Sequence, residues 1–162
     1  MKIVSKGTIV LAGLLLLHSA TSTGQQIVPP DYDTDPRLFK LRSFFQGQES
    51  PAYWLAEDFL AAADRNGLDW RLLPSISIVE SGGGKAYMNN NILGWDSCRK
   101  SFPSVTAGID HVATMLAASK FYRDKDLDQK LAAYNPGSDY PRLVKSLMER
   151  LDTPQGVLPS PD

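Results

Sequence analysis

A stretch of mostly apolar residues, Ile76, Ser77, Ile78 and Val79, ends on Glu80 and passes straight into Ser81, Gly82, Gly83 and Gly84. Three successive glycines cost too much backbone freedom to continue either a helix or a strand, so whatever element precedes them stops there. The composition upstream predicts a helix over Leu72–Glu80. Asp69 is its expected cap, and Pro74 is tolerated because it falls near the first turn. The carboxyl of Glu80 then lies in the last helical turn, at the negative end of the helix dipole and among apolar neighbours. Carboxyls in such settings tend to keep a proton, and general acids that protonate a leaving oxygen in glycoside cleavage are of this kind. The alternative is a solvated glutamate in front of a loop.

The loop that follows is rich in amides. Asn89, Asn90 and Asn91 lead through Ile92 and Leu93 to Gly94 and Trp95. Asparagine matches sugar hydroxyl and acetamido groups in both hydrogen-bond senses, and an indole offers a flat face to a pyranose ring. The same residues also suit turns and left-handed backbone, with Trp95 as a core anchor. Farther on, Ala133, Tyr134, Asn135, Pro136 and Gly137 end one helix, and Tyr140 and Pro141 open another.

Glu80-Ser81-Gly82, the Asn90-Asn91 to Gly94-Trp95 segment, and Ala133-Tyr134-Asn135 before Gly137 together resemble the lysozyme-like superfamily. Their order is most similar to the soluble lytic transglycosylases, which carry a Glu-Ser pair ending a helix and a later Ala-Tyr-Asn. The Asn-Asn-x-x-Gly segment is closer to bacterial glucosaminidase domains. The resemblance spans about residues 51–151. It implies a helical domain with a catalytic cleft, with Glu80 as general acid. It also implies that Tyr134 hydrogen-bonds near that carboxyl or the substrate, and that Asn91, Gly94 and Trp95 line the sugar cleft. Asn135 is expected to shape the turn beneath Tyr134. One departure is the middle segment, where the transglycosylases have Gly-x-Met-Gln and this chain has Asn91, Ile92, Leu93, Gly94 and Trp95.

Glycosidases usually pair two carboxyls. Asp96 is the nearest downstream acid, while Asp110, Asp124 and Asp126 fall on segments that read as solvated. A lytic transglycosylase, as the resemblance implies, needs no second carboxylate, because the sugar's own C6 hydroxyl attacks. Hydrolysis with Asp96 positioning water is the rival reaction. A glycan-binding module without catalysis and a purely structural helical domain are the alternatives from other functional classes.

The rest of the chain supports an all-α fold. Lys2 and Lys6, the apolar run Ile9–Leu17 and the small residues from Ser19 to Gly24 read as a secretory signal peptide over residues 1–24, so a secreted or periplasmic location is expected. Residues 25–50, with Pro29, Pro30, Asp31, Asp33, Asp35 and Pro36, read as a flexible tether or linker carrying a short helix over Leu38–Phe45. The domain proper is expected over 51–152, and the proline-containing tail 153–162 is expected to be disordered.

Ser50 and Pro51 open a helix ended by Asn66-Gly67, whose apolar positions include Trp54, Leu55, Phe59, Ala62 and Ala63. Packing is the expected role of Trp54 and Trp70. Ser104 precedes a helix with Ile109, Val112, Ala113 and Leu116 on one face. Leu127–Tyr134 and Pro141–Leu151 complete the set, joined to it by a charged turn at Tyr122–Asp126. No alternating run long enough for a strand appears.

Without residues 1–24 the chain keeps 15 basic against 18 acidic side chains, too little positive charge to follow a phosphate backbone, so nucleic acid is excluded as a partner. Stable membrane insertion is likewise not expected after cleavage, since the apolar run is short for a span. Peptidoglycan glycan strands are the expected partner, bound by a monomer. The single cysteine, Cys98, excludes an internal disulfide, and His111 as the one histidine after residue 24 gives no metal-ligand spacing. No metal or cofactor is expected.

Overall fold

Asp35 opens the helical body. Its side chain accepts from the Arg37 N–H at 2.8 Å and Pro36 takes the first helical position, so the proline and aspartate that suggested a tether act as a helix start signal. The computed structural model describes residues 31–153. The signal-peptide reading, residues 25–30 and the tail from 154 lie outside the described residues.

The described residues form α1 (Pro36–Gly47), α2 (Ala56–Asn66), α3 (Leu72–Ser81), α4 (Val105–Ala118), α5 (Leu127–Tyr134) and α6 (Tyr140–Asp152), with a 3-10 turn at Pro51–Leu55. No strand occurs among them, so the chain is all-α over this range.

α1 is longer than the short helix expected within a linker, and it belongs to the core. Leu38, Leu41, Phe44 and Phe45 are buried, and the rings of Phe44, Phe45 and Phe59 follow one another at 5.7 and 5.6 Å. Such aromatic pairs add about 0.5–1.5 kcal/mol each beyond the area they bury. The segment before α1 is also tied down: Tyr32 is buried and donates to Asp64 of α2, and the Arg37 guanidinium bridges Asp35 and Asp64. That bridge holds both carboxyls below their usual range, through the hydrogen bonds from Arg37 first. Among the described residues the packed body therefore reaches back to Tyr32, ahead of the start expected at residue 51.

α3 is the central helix. Every residue from Leu72 to Ser77 is buried, as expected of a helix enclosed on all sides, here by α2 and α6. Pro74 falls in its first turn, where no intrahelical N–H is needed. Asp69 accepts from the Arg71 N–H, so it caps the turn that leads into the helix. α2 packs on α4, and α5 packs on α6.

Trp54 departs from its expected packing role and is 84% exposed. Pro51–Leu55 winds with about three residues per turn instead of 3.6, which rotates Trp54 away from the core and turns Ala52 and Ala56 inward. Trp70, in the turn before α3, is half-buried against the core as expected.

Candidate functional site

The end of α3 is fixed from two sides. Gly82 adopts a left-handed conformation, φ +64°, and its N–H closes back on the Ile78 carbonyl at 3.0 Å. The Gly83 carbonyl then accepts from Ser50 Oγ and the Ala52 N–H, joining the glycine turn to the start of the 3-10 turn. Ser81 is buried. Its hydroxyl reaches the Ile92 carbonyl at 2.8 Å and accepts from the Gly84 N–H, so it locks the helix end to the amide-rich loop. Glu80 sits between these restraints, on the penultimate residue of α3, with its carboxyl facing the loop.

That loop is held by its own asparagines. Asn89 donates to the Cys98 carbonyl, Asn90 to the Phe102 carbonyl, and Asn91 to the carbonyls of Trp95 and Lys100. The Asn91 carbonyl oxygen also accepts from the Trp95 N–H at 2.8 Å. Asn91 is 1% exposed and does not line the cleft, which corrects its expected role as a sugar contact. Its amide is spent on these backbone groups.

The brace has a purpose. Asp96, Ser97 and Cys98 all hold left-handed backbone, at φ 52°, 53° and 60°, and each such residue costs on the order of 1–2 kcal/mol. Asn91→Ala removes two donors and one acceptor from buried backbone and is expected to cost about 2–4 kcal/mol. Urea unfolding should show this as a lower midpoint at unchanged slope. A substrate contact would instead raise KM and leave the midpoint where it was.

Glu80, Gly94, Trp95, Tyr134 and Asn135 line one cleft of about 770 Å³. Five of the six candidate residues thus converge, and only Asn91 stands behind the wall. Gly94 has a specific task. With φ +67° it suits glycine, and a Cβ there would fall 3.0 Å from Glu80 Cδ and closer still to Oε2, so the bare Cα makes room for the carboxyl.

Trp95 is both wall and anchor: its ring packs on Tyr134, His111 and Tyr122 at 5.6–5.9 Å while one side faces the cleft. Tyr134 donates to the Leu93 carbonyl at 2.5 Å rather than to the Glu80 carboxyl, so it secures the loop from the far end of the sequence. Asn135 accepts from the Gly137 N–H and shapes the turn as expected.

Tyr140 backs Tyr134 without lining the cleft. No sequence motif singles it out, although it stands six residues after Tyr134 at the start of α6. Its ring stacks on Tyr134, centroids 6.1 Å apart and planes 10° from parallel. The hydroxyl is sealed from solvent with no partner in hydrogen-bonding geometry. Burial pushes both phenols well above their ordinary range, and the Glu80 charge pushes them further. Both stay protonated at any ordinary pH, so Tyr140 keeps a proton to donate toward Glu80.

Asp96 also lines the cleft, paired with Arg99. Lys100, Met115, Phe121 and Tyr122 are also on the wall. His111, whose pKa is lowered by burial and then by Lys100, packs behind Trp95 and Phe102 and does not reach the cleft. Cys98 is a free, partly buried thiol at the left-handed turn. Among the described residues no group of three or more His, Cys, Asp or Glu is arranged to hold a metal ion, and no helix is long and apolar enough to cross a membrane. No family model, curated protein or solved structure gives a significant match to this chain.

Proposed function

We propose that this chain is a lysozyme-like enzyme that cleaves the β-1,4 glycosidic bond of peptidoglycan, with Glu80 as its acid and base. The observation that carries the reading is the meeting of residues far apart in sequence. A carboxyl at the end of α3, an indole from the braced loop and a phenol from the end of α5 share one cleft of about 770 Å³, large enough for a few sugar rings.

In the reaction proposed, Glu80 gives its proton to the glycosidic oxygen as the bond from C1 to that oxygen breaks. The resulting carboxylate then takes the proton of the same sugar's C6 hydroxyl while that oxygen bonds to C1, closing an anhydro ring without water. Tyr140, with a buried hydroxyl that has no partner among the described residues, lies close enough for the Glu80 charge to raise its pKa after burial does, so a protonated phenol stands near the carboxyl. A peptidoglycan substrate accords with a secreted or periplasmic protein and with the reading of residues 1–24.

Asp96 supports a second reading. It is the other carboxyl lining the cleft, and hydrolysis would use it to position water. Digestion of purified sacculi followed by mass spectrometry tests both. Anhydro-muropeptides are expected, lighter by one water than the reducing-end products of hydrolysis. Binding to sacculi with no soluble product would leave a glycan-binding module, and neither binding nor product would end the proposal.

A further inference from the structure

Trp54 is 84% exposed, and the 3-10 turn Pro51–Leu55 holds its indole out from the helical body. That turn is fixed at its start. Ser50 caps it by accepting from the Ala52 N–H, its hydroxyl donates to the Gly83 carbonyl at 2.8 Å, and Ala52 is sealed in the core behind. The Tyr53 ring meets the indole edge-on, with centroids 4.9 Å apart and planes at 83°. An indole placed this way gains little from packing on its own body, and its held face is open to a ligand.

Trp54 forms one side of a groove of about 520 Å³, lined also by Gln46, Glu49, Ser50, Pro51 and Tyr53, with no residue in common with the Glu80 cleft. Glu49 stands at φ +50°, left-handed backbone that glycine or asparagine suits better, and the Glu49 N–H to Gln46 and Ser50 N–H to Phe45 bonds hold it there. The Gln46 amide, the Glu49 carboxylate and the Tyr53 hydroxyl make no hydrogen bond among the described residues, whereas the asparagines of the cleft loop spend their amides on backbone carbonyls. Lys85 donates to the Gln48 carbonyl at 2.9 Å, which sets an ammonium at the same turn as Glu49 and leaves little net charge. An open indole face beside unspent amide, carboxylate and hydroxyl groups suits a neutral sugar ring. A proline-rich peptide docks into grooves between aromatic rings, but Tyr53 and Trp54 touch edge-on and leave no space between them.

We propose that the Trp54 groove is a second glycan-binding site, separate from the cleft, that grips a neutral N-acetylamino-sugar segment and keeps the protein on an insoluble polymer between cleavages. The site rests on the saccharide reading of the protein and adds a place where a second stretch of glycan is held. Two contacts on one polymer raise the effective concentration of each for the other without any change at the reacting bond. The Ser50 bond to Gly83, just beyond Glu80, ties the groove to the turn that ends α3, so both sites belong to one body.

Co-sedimentation of the Glu80→Gln protein with purified sacculi tests the groove apart from turnover. Adding Trp54→Ala should weaken binding about tenfold, and Trp54→Phe in its place should recover part of that loss. Phe39→Ala, which removes another aromatic 75% exposed on α1, should leave binding unchanged. In the protein that keeps Glu80, Trp54→Ala should slow fragment release from sacculi about fivefold and leave turnover of short soluble glycan oligomers as it was. Trp54 is at the surface, so the thermal midpoint should not move. Isothermal titration of the Glu80→Gln protein with N-acetylglucosamine oligomers and with a polyproline peptide identifies the occupant, and the expected result is oligomer binding that Trp54→Ala removes in part. Sacculus binding that is absent, that Trp54→Ala leaves unchanged or that Phe39→Ala weakens equally would overturn the groove, whatever the cleft does. Binding of the peptide alone in a Trp54-dependent way would overturn it as well. Trp54-dependent glycan binding by a protein that keeps Glu80 and releases no fragments would instead uphold the groove and end the cleavage reading.

Discussion

Glu80→Gln is expected to leave the fold intact and to stop the release of soluble fragments from sacculi, with turnover lower by about 10²–10⁴-fold, the usual worth of a positioned general acid. The substitution keeps the size and shape of the side chain, so the space left by Gly94 still accommodates it. What disappears is the transferable proton. Thermal unfolding should move by no more than about 1 kcal/mol equivalent, the worth of a single ordinary hydrogen bond.

Burial is the first cause of the raised pKa of Tyr134 and Tyr140 and the Glu80 charge the next, so both phenols stay protonated with or without the carboxylate. Muropeptide release at the wild-type rate by the Glu80→Gln protein would remove Glu80 from the chemistry.

Much of this site was legible from residue order, and the exceptions have physical causes. The glycine run stopped α3 at Ser81, one residue past the expected end at Glu80. Ser104 and Asp126 mark the starts of α4 and α5 by side-chain bonds to backbone N–H groups, although Asp126 with Gln129 reads at first sight as part of a charged turn. The misplacement of Trp54 came from assuming one helical pitch through a segment that winds more tightly. Asn91 could not be assigned from its type: an amide serves a sugar or a carbonyl equally well, and only the fold brings the Trp95 and Lys100 carbonyls to it. At Asp35 and Pro36 the tether reading gives way to a helix start, because proline and aspartate both loosen chains and start helices. What separates the two outcomes at Pro36 is the apolar set Leu38, Leu41, Phe44 and Phe45, which has a core to enter.

Gly94→Ala is expected to cost both stability and activity, and the two losses have separate origins. The left-handed backbone at φ +67° costs any L-residue about 1–2 kcal/mol. Gly67, at φ +61° with nothing within 4 Å of the place a methyl group would take, isolates that contribution, so Gly67→Ala should lower stability by about 1 kcal/mol and leave turnover unchanged. At Gly94 the methyl group would in addition meet Glu80, with Cδ at 3.0 Å and Cβ at 3.2 Å. The glutamate cannot retreat along the helix, because Leu72–Ser77 of α3 are buried and Ser81 is bonded to the Ile92 carbonyl, so its carboxyl must swing out of the cleft. A displacement on the order of 1 Å at a reacting group costs about 10²-fold in rate. Gly94→Ala should therefore turn over at least about a hundredfold more slowly than the Gly67→Ala control and unfold about 2–3 kcal/mol more easily than wild type. Equal turnover in the two alanine variants would mean that the position of the Glu80 carboxyl is not what the chemistry depends on.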